Sequence, residues 1–282
     1  MKKYYTLNNM LAKKSLGQHF LHNQHALDTI IESGDIQPTD IILEIGPGHG
    51  VLTKKLLFFA GKVVAIEKDR TLVEELSATF AKEIADGKLE LIEKDILDFD
   101  PGVFAFYHDL TYKVIANIPY NITGAILKHI LSAPCIPEQM VLLVQKEVAE
   151  RIIAKDNKES ILSIAVKAYG NPKIIAKVGR GSFTPPPRVD SAILSIEKIS
   201  KNLFTKYAVS EKHFFNVVRT GFAHKRKVLI RNLTSLPMPY DALTNIWQAG
   251  DLPEQIRAED IDLETWFIIA KKLLQNSLEK EI

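Results

Sequence analysis

The chain has 282 residues, of which 46% are hydrophobic and 25% charged, an ordinary globular composition. No run of eighteen uninterrupted apolar residues occurs, which argues against a helical membrane span. The single cysteine, Cys135, excludes an internal disulfide and fits a reducing cytoplasm.

The first segment, "MKKYYTLNNMLAKKSLGQHF", carries Lys2, Lys3, Lys13 and Lys14 but no acid and no apolar core. It reads as a basic arm over residues 1–22 rather than a secretory signal. From residue 23 to about 145, short β-rich runs alternate with helical patterns. Strands are predicted at "IILEI" (41–45), "KVVAIE" (62–67), "KLELIE" (88–93), "YKVIAN" (112–117) and "QMVLLVQ" (139–145). Helices are predicted between them, among them Asp69–Ile84 and Thr123–Leu131. This alternation predicts a parallel α/β sheet with helices on both faces. "NPKIIAKVG" and "VDSAILSIE" read as two further strands, joined by "SFTPPPR" as an antiparallel, hairpin-like edge. After Lys201 strand signals stop, and "EKHFFNVVRTGFAHKRKVLIRNL" and "DLETWFIIAKKLLQNSL" have helical spacing. The expected organisation is a sheet domain over 1–200 and a small all-helical domain over 201–282.

The net charge of +2 hides a segregated distribution. Residues 201–231 hold eight bases against Glu211, whereas residues 241–264 hold seven acids against Arg257. Such a chain can present one strongly basic face to nucleic acid, with Lys225, Arg226, Lys227 and Arg231 as the candidate RNA contacts. A solvated helix surface is the competing reading of the same charges.

"ILEIGPGHGVLTKKL" follows the first predicted sheet strand and opens a helix. Gly46, Gly48 and Gly50 permit positive φ and a close ligand approach. Glu67 ends the next strand, 21 residues after Gly46, a spacing at which a carboxylate can accept both hydroxyls of a bound ribose. A dinucleotide fits less well: the pattern is G-P-G-H-G, and a carboxylate at Glu44 would repel a pyrophosphate. S-adenosylmethionine, with a ribose, a cationic amino-acid tail and no phosphate, suits the same set. Asp95 in "EKDILDF" can accept the adenine amino group, or serve only as a cap or turn residue.

"NIPY" at 117–120 ends the fourth predicted sheet strand. The exocyclic nitrogen of adenine is a poor nucleophile because its lone pair is delocalised. Two acceptors near its hydrogens localise that pair, and the side-chain oxygen of Asn117 and the carbonyl of Ile118 can supply them. Pro119 fixes φ and brings no competing N–H. Tyr120 offers a ring for a base taken out of its stack. Phe183 in "FTPPPR" is expected as a second aromatic wall, with Pro185–Pro187 stiffening the loop. The alternatives are a strand ending in a turn, and a hydrophobic plug.

"KKSLGQHFL", "EIGPGHGVLT", "AIEKD", "NIPYNIT", "VQKEVAERI", "FTPPPRVDSAIL" and "FAHKRKVL" occur in the order seen in the KsgA family of bacterial small-subunit (16S) rRNA adenine dimethyltransferases. The chain resembles that family over about residues 10–235. The Dim-type and Erm methylases are relatives. The resemblance implies a Rossmann-like methyltransferase domain, a helical C-terminal domain, and two methyl transfers to N6 of each of two adjacent adenosines near the 3′ end of that rRNA. It implies cofactor contacts at His19, Leu21, Gly46, Glu67, Asp95 and Asn117. Many members carry Asn where this chain has His19, so a backbone contact there would be conserved in kind and a side-chain contact would not. It also implies a monomer acting on a pre-ribosomal 30S particle in the cytoplasm, with no DNA substrate. His19, His22 and His25 are spaced at three, but no acid or Cys joins them and methyl transfer from a sulfonium needs no metal.

Overall fold

The computed structural model describes residues 18–106, 111–236, 240–250 and 252–278; most of the expected basic arm, including all four of its lysines, lies outside them. Contacts divide the chain into two units. One runs to Ala149 and takes in Lys173–Glu197; the other comprises Glu150–Pro172 and the chain from Lys198 onward. The helical unit thus includes residues 150–172, which the sequence reading assigns to the sheet domain over 1–200. This segment holds the end of α6 (Lys146–Ile152) and all of α7 (Ile161–Lys167).

The first unit is a Rossmann-like α/β sheet. Its strands are β1 (Phe20–Leu21), β2 (Ile41–Ile45), β3 (Lys62–Glu67), β4 (Leu89–Glu93), β5 (Tyr112–Asn117), β6 (Gln139–Gln145), β7 (Asn171–Val178), β8 (Phe183–Thr184) and β9 (Ser191–Glu197). The helices that alternate with them are α1 (Gln24–Ser33), α2 (Val51–Phe59), α3 (Arg70–Thr79), α4 (Ala81–Ala85) and α5 (Thr123–Leu131). Seven strands form one sheet in the order β4-β3-β2-β5-β6-β9-β7. β4, β3, β2, β5 and β6 run parallel, and β9 runs antiparallel to β6. β2 is buried at all five positions and β9 at its first six, as expected of strands covered on both faces, although β2 carries Glu44 and β9 Ser191 and Ser195. Lys113 on β5 is tolerated at 6% exposure because its ammonium meets Asp40 at 2.8 Å and donates to the carbonyl of Asp35.

Two expectations are refined. Asp69–Ile84 is two helices, not one, with Phe80 between them at φ −111°, ψ 29°. The break lets the Phe80 ring fill the space a side chain would occupy at Gly50, where an added Cβ would lie 2.5 Å from that ring. The short pair β1 and β8 was not foreseen; two residues are too few to show alternation.

The helical unit adds α8 (Asn202–Tyr207), α9 (Glu211–Gly221), α10 (Leu229–Leu233), α11 (Tyr240–Ala249) and α12 (Leu263–Leu278). On α9 the residues Phe214, Val217, Val218 and Gly221 are buried, the i, i+3, i+4, i+7 stripe of an amphipathic helix. Phe214 stacks on Phe267 with centroids 4.1 Å apart. Gly221 is required there, because a Cβ would lie 2.4 Å from the Trp266 ring.

Candidate active site

The strand order reverses between β2 and β5, since β3 and β4 follow on one side and β6 on the other. Ligands of open α/β sheets bind outside the carboxyl ends of the strands at such a point. Here those ends are Ile45, followed by the glycine loop, and Asn117, followed by Ile118-Pro119-Tyr120. A cavity of about 250 Å³ opens at this place. It is lined by all of the cofactor candidates (His19, Leu21, Gly46, Glu67, Asp95 and Asn117) and by Ile118, Pro119 and Tyr120.

The glycine loop needs its left-handed backbone: Gly46, Gly48 and Gly50 have φ of +65°, +60° and +75°. At Gly48 a Cβ would also meet the Phe20 ring at 3.0 Å. Gly50 then caps α2, so the loop passes directly into a helix. Glu67 holds the loop in place. One carboxylate oxygen accepts from the Gly48 N–H at 3.3 Å, the other from the Asp69 N–H at 2.8 Å. Burial holds the Glu67 carboxyl above its usual range, opposed by these backbone donors. Asp95 accepts from the Leu97 N–H and pairs with Lys68 at 2.7 Å, which holds its carboxyl below the usual range. It is both a turn cap and part of the cavity wall, so the two readings of this residue are not exclusive.

Glu44 requires a correction. It is 1% exposed, and burial, reinforced by the nearby Glu67 carboxylate, pushes its carboxyl up to about 8. At neutral pH it is mainly a neutral acid, so charge repulsion of a pyrophosphate is not an argument. Its Oε2 is buried with no hydrogen-bond partner among the described residues. An ammonium placed there would satisfy that oxygen and favour the ionised form. The cavity thus fits a ligand with a cationic tail and a ribose: Glu44 for the tail, the glycine loop for close approach, and Glu67 for the hydroxyls. The raised pKa also sets a stability trend. A carboxyl near 4.5 when unfolded and near 8 when folded binds a proton only in the folded state between those values. Stability from this group is full below pH 4.5 and is lost as pH rises through 8. Glu44→Gln, which mimics the neutral acid, should therefore flatten the decline in melting temperature over that range and be the more stable protein at pH 8.5. An unchanged pH profile would mean that Glu44 titrates normally.

Asn117 ends β5, and its amide nitrogen donates to the His19 carbonyl at 3.0 Å. This fixes the side chain with its oxygen left as an acceptor. Tyr120 is held by its hydroxyl, 2.6 Å from Ser191 Oγ at the start of β9. Burial pushes the phenol up to about 12, so it stays protonated and is no general base. The ring stacks with that of His19, centroids 5.7 Å apart and planes at 24°. His19 Nδ1 in turn donates to the Pro185 carbonyl at 2.8 Å. His19 therefore enters the site through its ring as well as its backbone.

Phe183 does not form the second wall. It is 2% exposed and belongs to the hydrophobic core. The cause is strand alternation. β8 pairs with β1, matching Phe183 to Leu21 and Thr184 to Phe20. Phe183 and Leu21 turn into the core, Leu21 still reaching the cavity wall, while Thr184 and Phe20 line the cavity and Phe183 does not. The aromatic beside Tyr120 is His19. Sequence reasoning also missed Ser191, Phe20 and His49; the two-residue pairing brings in Phe20 and the β9 register Ser191, whereas His49 enters with the glycine loop and lies against the Phe20 ring. Among the described residues no group of three His, Cys, Asp or Glu comes together as a metal site. The basic candidates Lys225, Arg226, Lys227 and Arg231 are in the helical unit, all exposed. The turn that carries Lys225–Lys227 is held by Asn232, whose amide donates to the Gly221 and His224 carbonyls.

A family model described as ribosomal RNA adenine dimethylase matches residues 9–275. The chain belongs to this family. The match runs well past the residue near 235 where the sequence motifs end, and includes α11 and most of α12. Among its relatives, "Ribosomal RNA small subunit methyltransferase A" of Dehalococcoides mccartyi (strain CBDB1) is 39% identical, over 94% of this chain and 89% of that protein. The protein of the same name from Clostridium botulinum (strain ATCC 19397 / Type A) is 37% identical, over 89% of this chain and 90% of that one. Of solved structures, a dimethyladenosine transferase from Plasmodium falciparum superposes with a TM-score of 0.76 at 28% identity, covering 93% of this chain and 98% of that one. The 23S rRNA methyltransferase ErmE shares the fold, with a TM-score of 0.68 at 23% identity over 91% of this chain and 100% of its own.

Proposed function

We propose that this chain uses S-adenosylmethionine to dimethylate N6 of two adjacent adenosines near the 3′ end of small-subunit (16S) rRNA, four transfers in all. The observation that carries this reading is the convergence of the glycine loop, Glu67, Asp95 and Asn117–Tyr120 on one cavity at the strand-order reversal. The cofactor supplies a methyl group on a sulfonium. Glu67 accepts from the ribose hydroxyls, Asp95 from the adenine amino group, and Glu44 faces the ammonium. Asn117 Oδ1 and the Ile118 carbonyl accept from the target amino group, which turns its lone pair toward the methyl. Tyr120 supplies a ring face on which the extruded base stacks. No strong base is needed, since the amino proton becomes acidic only once the new N–C bond forms.

The substrate is a pre-ribosomal 30S particle in the cytoplasm, met by a monomer, and small-subunit biogenesis is the setting. No helix among the described residues is long and apolar enough to cross a membrane. Mass spectrometry of both rRNAs after incubation with labelled cofactor tests the reading. Dimethyladenosine is expected in the 16S species; label confined to 23S rRNA would mean an Erm-type enzyme instead.

Lys225, Arg226 and Lys227 contact phosphates. Reversing all three to Glu should weaken binding to the small-subunit particle and flatten its salt dependence. Each lost phosphate contact lowers the log–log slope by about 0.9 for duplex-like sites. An unaltered slope would leave the block as a solvated surface.

A further inference from the structure

The helical unit carries a groove of its own, about 650 Å³, formed by the turn after α9, by α10 and α11, and by the segment after α11. Arg226, Lys227 and Arg231 line it, all exposed and none ion-paired to a described residue. Tyr240, the first residue of α11, lines the same groove and is 56% exposed. Trp247 lines it too but is 4% exposed, and its indole N–H is buried with no hydrogen-bond partner among the described residues. A buried donor without an acceptor is destabilising, and native structures seldom keep one without a role. Glu254 is the one acid among the described lining residues.

Phosphate binding alone needs only the cations, not a groove with an exposed ring and a waiting donor. A duplex would present phosphates to those cations, but no free base face to Tyr240. Single-stranded RNA presents both, and its recognition combines cationic and aromatic side chains. Glu254 disfavours a bare anion in the groove and suits a base with an exocyclic amino group. We propose that this groove captures one unpaired nucleotide of structured RNA. Its phosphate lies on Arg226, Lys227 and Arg231, and its base stacks on Tyr240. The Trp247 N–H donates to an acceptor of that nucleotide, and Glu254 accepts from its amino group. The proposal rests on RNA being the substrate but concerns a surface other than the catalytic cavity.

The test compares two labelled RNA hairpins, identical except for one bulged cytidine, binding to the full chain at fixed salt by fluorescence anisotropy. Cytidine has the amino group and cannot serve as a target adenine. The bulged hairpin should bind about tenfold tighter, the scale of one base–aromatic stack. Tyr240→Ala, at an exposed position, should erase that preference and leave affinity for the paired hairpin unchanged, while Tyr240→Phe should retain it. Tyr120→Ala should also retain it; a preference that follows Tyr120 instead would put the bulge in the catalytic cavity and overturn the proposal. Equal binding of the two hairpins would overturn the groove alone, whereas binding of neither would overturn the RNA reading and the groove with it.

Discussion

Glu67→Ala should cost S-adenosylmethionine affinity a hundredfold or more. Two hydroxyl contacts to a charged acceptor are each worth roughly 1.5–3 kcal/mol, and about 1.4 kcal/mol is a factor of ten. The structure adds a second loss that the sequence did not reveal. The same carboxylate accepts from the backbone N–H groups of Gly48 and Asp69, so it also fixes the glycine loop and the start of α3. Leaving such buried donors unpaired costs about 1–3 kcal/mol each, which should appear as a lower melting temperature. Glu67→Gln separates the two effects. Its amide oxygen can keep one backbone donor, but the amide nitrogen cannot accept from a hydroxyl. It should recover the part of the stability that one backbone donor carries, and less of the affinity. Calorimetric titration beside thermal unfolding reads both quantities. Wild-type affinity in a folded Glu67→Ala protein would remove Glu67 from the ribose site.

The parts of the site legible in sequence are those with a local cause. The glycine loop shows because three left-handed positions admit little else, and the five parallel strands show because buried β-branched runs alternate with helical spacing. Glu67 and Asn117 could be placed because each ends such a strand. What failed depended on long-range pairing. The inward turn of Phe183 follows from β8 meeting β1, 162 residues away between Phe183 and Leu21, and a two-residue strand carries no period to read. The Tyr120–Ser191 bond depends on β9 lying beside β6, which puts Ser191 level with Gln145 at the carboxyl end of that strand. Glu44 was misjudged for another reason: its residue type announces a charge, while its pKa is set by burial. The grouping of residues 150–172 with the helical unit has no compositional mark at all, since the backbone simply leaves the sheet and returns as β7.

Asn117→Ala should depress the methyl-transfer rate by one to three orders of magnitude, from roughly 2–4 kcal/mol of lost transition-state stabilisation. The amide has two jobs. Its nitrogen is committed to the His19 carbonyl, so its oxygen is aimed by a contact 98 residues distant in sequence. That oxygen matters most as the target nitrogen becomes cationic, which is why the loss should fall on the rate more than on RNA affinity. Some cofactor affinity should fall too, because Asn117 borders the glycine loop: a Cβ added to Gly46 would lie 4.0 Å from the Asn117 carbonyl. Tyr120 should fail differently. Tyr120→Ala removes the ring that stacks on His19 and should reduce productive capture of the flipped adenine. Tyr120→Phe keeps the ring and loses only the bond to Ser191, so it should retain much of the activity. Because the phenol stays protonated below about 12, neither Tyr120 variant should introduce a new ionisation into the pH–rate profile near neutrality. RNA affinity should change little in any of the three, since phosphate contacts dominate it. Single-turnover transfer to a purified small-subunit substrate decides the matter: Asn117→Ala transferring at the wild-type rate would reduce Asn-Ile-Pro-Tyr to the end of a strand.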